Sequence, residues 1–102
     1  MSATVTGGVS APAGSGPLHH AAYNGRIDII SMLISSGTNV NSTNSIGQTP
    51  LHISAQYGYI DIVRRLLDSG ADRTIRDNDG HTAVDLARDH AMVPVNSDNS
   101  IG

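Results

Sequence analysis

Pro17-Leu18-His19 returns as Pro50-Leu51-His52, an interval of 33 residues, and the same interval carries Ala22 onto Ala55, Gly25 onto Gly58, Ile27 onto Ile60, Asp28 onto Asp61, Ile29 onto Ile62, Leu33 onto Leu66 and Gly37 onto Gly70. A further step takes Gly47-Gln48-Thr49 to Gly80-His81-Thr82, Leu51 to Val84 and Ser54 to Ala87, after which the pattern fades. A fixed period of this length restricts the fold severely. Each unit is one supersecondary module, too small to bury its apolar face alone, so the units must stack.

The local signals inside a unit give its course. Thr49 before Pro50 starts a helix, with a hydroxyl to accept a free amide and a proline at the first helical position, where its missing N–H costs nothing. Gly58 ends that helix. A second helix follows, with Ile60, Val63 and Leu67 on one stripe, Ile62 and Leu66 beside it, and Asp61, Arg64, Arg65 and Asp68 on the other face. Asp61 and Arg65, four apart, are placed to pair. Gly37 and Gly70 stand where a left-handed helix cap is needed. Ile46-Gly47 and Asp79-Gly80 suit tight hairpin turns. The unit reads helix, turn, helix, hairpin loop.

Composition narrows the function classes. In 102 residues all six basic side chains are Arg and all nine acidic ones are Asp, while Cys, Phe and Trp are absent. Without cysteine there is no disulfide framework, thiolate metal site or cysteine nucleophile. Without lysine there is no Schiff-base amine and no lysine for a phosphate loop. A net charge of -3 offers no phosphate-neutralising surface, so nucleic acid is not expected as a partner. No apolar run approaches a membrane span and no secretory signal is readable, which leads to the expectation of a soluble, cytoplasmic or nuclear chain with no membrane partner. Met1–Gly16, rich in Ser, Thr, Ala, Gly and Pro and free of charge, reads as a flexible leader.

Thr49-Pro50-Leu51-His52-Ile53-Ser54-Ala55, followed by Gly58-Tyr59-Ile60-Asp61-Ile62-Val63 and Leu66-Leu67-Asp68-Ser69-Gly70-Ala71-Asp72, resembles the ankyrin-repeat signature. The resemblance implies an all-α solenoid of stacked helix-turn-helix units with hairpin loops. The repeat domain would span residues 17–91, with units at about 17–46 and 47–79 and a partial third at 80–91. The first unit has Gly16 where the signature has Thr, and the third has Ala83 where it has Pro. In the third, the register delivers Asn99 and Ser100 in place of Leu66-Leu67, and Pro94 in place of Asp61. Residues 92–102 therefore read as a degenerate tail or cap. Val40–Gly47 also returns as Val95–Gly102 with only Thr43 against Asp98 changed, consistent either with a loop that follows a lost helix or with chance in Asn/Ser-rich sequence.

The resemblance also implies a function, namely non-enzymatic binding of another protein through the concave groove and hairpin tips. Carried over position by position, the groove comprises Tyr23, Asn24, Ser45, Ile46, Gln48, Gln56, Tyr57, Asn78, Asp79, His81, Asp89 and His90. Tyrosine and isoleucine would supply its apolar anchors, and Tyr59 would pack at the turn between helices. The alternative is a structural spacer, or a fragment of a longer array with no partner of its own. His19 and His52 occupy signature positions whose imidazoles lock loop backbone, and adjacent His19 and His20 diverge too far to share an ion. His81, Asp85, Asp89 and His90 are the densest polar cluster, but no nucleophile or oxyanion turn accompanies them. No enzyme activity, cofactor or metal is expected. Poorly capped ends raise the expectation of self-association.

Overall fold

The computed structural model describes residues 11–91, and side chains as far as residue 87. Five helices follow in order: α1 (Pro17–Tyr23), α2 (Ile27–Ser35), α3 (Pro50–Tyr57), α4 (Ile60–Asp68) and α5 (Ala83–Ala91). Among the described residues there is no strand. Helices α1 and α2 form the first pair and α3 and α4 the second, and among the described residues α5 is the one helix of the third unit. Packing then runs in two rows, α1 on α3 on α5 and α2 on α4.

The starts of the helices follow the sequence closely. At α3 the Thr49 hydroxyl oxygen accepts the His52 amide at 3.2 Å, while the Thr49 amide donates to His52 Nδ1 at 3.1 Å. These reciprocal bonds satisfy amides that a helix start leaves free. Gly16 has no side chain to offer α1, yet its amide still donates to His19 Nδ1 at 3.1 Å. At α5 the reciprocal pair is Thr82 with Asp85. The Thr82 amide donates to Asp85 Oδ2 at 3.0 Å and the Asp85 amide to Thr82 Oγ1 at 3.3 Å.

The core is aliphatic, as the absence of Phe and Trp requires. Leu18, Ala22, Ile30, Leu51, Ile53, Ile62 and Leu66 are at most 2% exposed. This corrects the expected stripe on α4. Ile62 and Leu66 are the buried pair, Ile60 is 60% exposed, and Val63 and Leu67 are only half-buried. The reason lies in the stacking. Val63 and Leu67 line an open apolar pocket with Leu51, Ala55, Ala83 and Ala87, on a side of α4 that the described residues leave open. The expected Asp61–Arg65 pair is also corrected, because no such ion pair is present among the described residues. Arg65 instead donates to Ser31 Oγ at 3.3 Å and to Ser69 Oγ at 3.1 Å. Asp61 Oδ1 accepts the Ile62 amide at the helix start, where the helix dipole favours a carboxylate.

The hairpin turns stack as well. The Asn78 amide donates to the Ile46 carbonyl at 3.0 Å, and one period earlier the Ser45 amide donates to the Ala13 carbonyl at 2.8 Å. Ala11–Gly16, assigned by composition to the leader, thus supply a turn equivalent to those at residues 44–49 and 77–82. Gly47 shows what this stacking demands, since its φ is +80° and a Cβ there would lie 2.8 Å from the Asn78 amide nitrogen. No other residue avoids both the strained backbone and the collision. Residues 92–102, including the echo at Val95–Gly102 and the expected tail or cap, lie outside the described residues.

Candidate functional site: the concave face and hairpin tips

The turns at residues 44–49 and 77–82 are each held by one short polar side chain. Asn44 Oδ1 accepts the amides of Ile46 at 3.1 Å and Gln48 at 3.0 Å. Asp77 Oδ1 accepts those of Asp79 at 3.0 Å and His81 at 2.9 Å. Backbone bonds from Asn44 to the Gln48 carbonyl and from Asp77 to the His81 carbonyl close the two turns. A side chain that folds back on its own loop in this way fixes the tip without helix or sheet. The tips of the turns therefore point outward from a rigid base.

Beside the second tip, Ile46, Gln48, Gln56, Asn78, Asp79 and His81 come together around one open pocket, joined by Asp77 and Leu86. Ile46 and Tyr57 expose 44% and 42% of their surfaces, and Ser45, Gln56, Asn78, Asp79 and His81 are also exposed. Tyr23 and Tyr57, which fall at different register positions, pack with ring centroids 5.9 Å apart at 56°. Tyr59 extends the row, 5.9 Å from Tyr57. Its ring lies over Gly25, where a Cβ would come within 3.0 Å of it. Tyr59 thus packs at the turn between helices, as expected, and also buttresses the tyrosine row.

Two assigned groove residues have other roles. Gln48 is 8% exposed, and its Oε1 accepts from the Tyr23 hydroxyl at 3.1 Å and from Asn44 Nδ2 at 3.2 Å. It is an internal hub that fixes the tyrosine and the turn, because a buried amide must find partners. Burial beside this hub, and secondarily the neighbouring Tyr57, pushes the Tyr23 phenol above its ordinary pKa. Asn24 lies apart from the pocket, lining a separate recess with Pro17, His20, Arg26 and Ile29 at the outer face of the first unit. There its Nδ2 donates to the His20 carbonyl at 2.8 Å, closing the end of α1. Asp89 and His90 belong to α5, but their side chains lie outside the described residues.

Asp77 and Leu86 are contacts that the sequence reading missed. The signal for Asp77 was present, since it stands one period after Asn44. Leu86 gave none. Of the cluster read as His81, Asp85, Asp89 and His90, only His81 and Asp85 have described side chains. The Asp85 carboxylate caps α5, and the Thr82 amide bond holds it below the usual carboxylate pKa. His81 Nδ1 lies 3.9 Å from Asp77 Oδ1.

His19 and His52 are both buried and both tie one unit to the next. His19 Nε2 meets the Gln48 carbonyl at 2.8 Å, and His52 Nε2 meets the His81 carbonyl at 2.9 Å. In each ring Nδ1 accepts an amide, so the tautomer that fits these partners carries its proton on Nε2. Among the described residues no helix is long and apolar enough to cross a membrane.

The chain matches the family model described as ankyrin repeats (3 copies) over residues 7–94. No curated protein matches it. The match spans most of the 102 residues, and the paired helices, outward turns and histidine locks repeat with its period. The chain therefore belongs to the ankyrin-repeat family, whose repeats generally act as protein–protein interaction modules.

Proposed function

We propose that this chain binds a partner protein through its concave face, without catalysis, using Ile46, Gln56, Asn78, Asp79 and His81 around the pocket and the tyrosine row beside it. The observation that supports this reading most is the pairing of exposure with rigidity. Ile46 and Tyr57 remain more than 40% exposed, yet Ile46 sits on a turn tied by Asn44, and Tyr57 packs between Tyr23 and Tyr59. Apolar groups held in place before binding give up little side-chain entropy on association, and aromatic rings with a polar tip are favoured anchors.

Variable side chains on a fixed scaffold are enough for such a role, and the chemistry of the face points to recognition rather than turnover. Asp85 is engaged in capping α5, and His19 and His52 in locking the units. The test is affinity capture from the source cell with the wild-type chain and with a Gln56→Ala, Tyr57→Ala double variant. A protein retained by the first and lost from the second supports the assigned surface. Equal retention by both would transfer binding to another face.

A further inference from the structure

The end of the stack at the third unit is stepped. The first row runs α1, α3, α5, whereas among the described residues the second row stops at α4. Helix α5 therefore projects one layer beyond α4 and borders a slot one helix wide. Val63 and Leu67 of α4, with Leu51 of α3, form its floor, and Val84 and Ala87 of α5 form one wall.

The 33-residue period shows how these positions look when a further helix covers them. Leu18, Leu51 and Val84 are equivalent. Leu18 and Leu51, each with the next helix of the row stacked on its own, are 1% and 2% exposed, while Val84 is 48% exposed. In the second row Ile30 of α2, with α4 stacked on that helix, is 0% exposed, whereas its equivalent on α4, Val63, is half-buried. Among the described residues the step thus leaves two aliphatic faces uncovered, one on α5 and one on α4. Apolar surface of this kind is stabilised by removal from water.

We propose that a second copy of this chain covers both faces in a closed two-fold dimer, with α5 of each copy seated in the slot of the other. The slot admits one helix, and the same step projects one helix. A two-fold axis parallel to the helices, between the two α5 helices, exchanges the rows and reverses the stack. Val84 of one copy then meets Val63 and Leu67 of the other, and the reciprocal contact covers the second pair of faces. A two-fold interface requires such self-complementarity, in which each of two patches on one chain fits the other. The slot shares no lining residue with the pocket at the second hairpin tip, so the dimer stands independently of the binding assigned to the concave face.

The test is equilibrium sedimentation of the full chain, wild type and with Val84→Arg or Val63→Asp, each checked by circular dichroism for wild-type helical content. Val84 is exposed, so Val84→Arg tests the interface even if Val63→Asp loses its fold. The wild type is expected to reach twice the chain mass and no more, and each variant to raise the dimer dissociation constant at least about tenfold. An equimolar mixture of the two folded variants should recover the dimer. One of its two contacts joins the introduced arginine to the introduced aspartate, and the other keeps Val63 against Val84. The proposal is overturned by a wild type that stays monomeric, as it would if residues 92–102 covered the slot, or by association that runs past the dimer. Variants that dimerise like wild type, or folded variants whose mixture recovers nothing, overturn it equally.

Discussion

The Nε2 atom of His52 lies 2.9 Å from the carbonyl oxygen of His81, so a side chain on the first helix of one unit holds the hairpin turn of the next. Through Nδ1 the same ring takes the Thr49 amide at its own helix start. His52→Ala removes both bonds and strands a buried amide and a carbonyl. We expect it to lower stability by about 1–3 kcal/mol, read as a shift of the urea midpoint. A midpoint unchanged from wild type would refute the locking role.

His19 performs the equivalent task one unit earlier, and burial holds its pKa below the ordinary histidine value, only partly opposed by the bond to the Gln48 carbonyl. The native state thus favours the neutral ring. The unfolded chain takes up a proton near the ordinary pKa of about 6.5 while the native ring still refuses it. Stability is therefore full above that value and declines as pH falls through the lower native pKa. Urea midpoints measured across this window should fall with acidity in wild type and more weakly in His19→Gln.

Leu66 is 0% exposed, whereas its neighbour Leu67 borders the open apolar pocket. Leu66→Ala is expected to cost about 2–5 kcal/mol, enough to unfold so small an array. Leu67→Ala should cost less, because its side chain already faces solvent in part. Thermal melts of the two variants check this order, and equal losses would mean that the open pocket is covered in solution.

Gln48 and Gln56 separate architecture from recognition. Gln48→Ala leaves the Tyr23 hydroxyl and Asn44 Nδ2 without their acceptor and should destabilise the fold by about 1–3 kcal/mol. Gln56→Ala, at an exposed position, should change stability by no more than about 0.5 kcal/mol. Denaturation curves distinguish the two, and a large loss at Gln56 would mean that it supports the fold.

The open pocket around Val63, Leu67 and Ala87 is apolar surface that a following helix pair would cover. Repeat arrays need polar terminal units, so fusing one idealised capping repeat after residue 91 should raise the urea midpoint and suppress self-association in equilibrium sedimentation. A strictly monomeric chain that gains nothing from the added repeat would rule out an exposed end.

Much of this architecture was legible from residue order alone because its signals are local. Thr49-Pro50 starts a helix, Gly37 and Gly70 follow helix ends, and a 33-residue recurrence states that identical modules stack. The histidine locks were legible only through the family resemblance, which places His19 and His52 at signature positions. What the order of residues could not convey was which side of each helix another helix would cover. Ile62 and Val63 differ little in hydrophobicity, yet Ile62 is fully buried and Val63 is only half-buried at an open pocket, because among the described residues stacking encloses one side of α4 and leaves the other open. Gln48 looked like a groove residue until its amide was found between Tyr23 and Asn44, and His81 acquired Asp77 and Asp79 as its companions only when the turn closed. Periodicity and capping are written along the chain, whereas burial and the convergence of side chains are properties of the space between units, and only the folded stack determines that space.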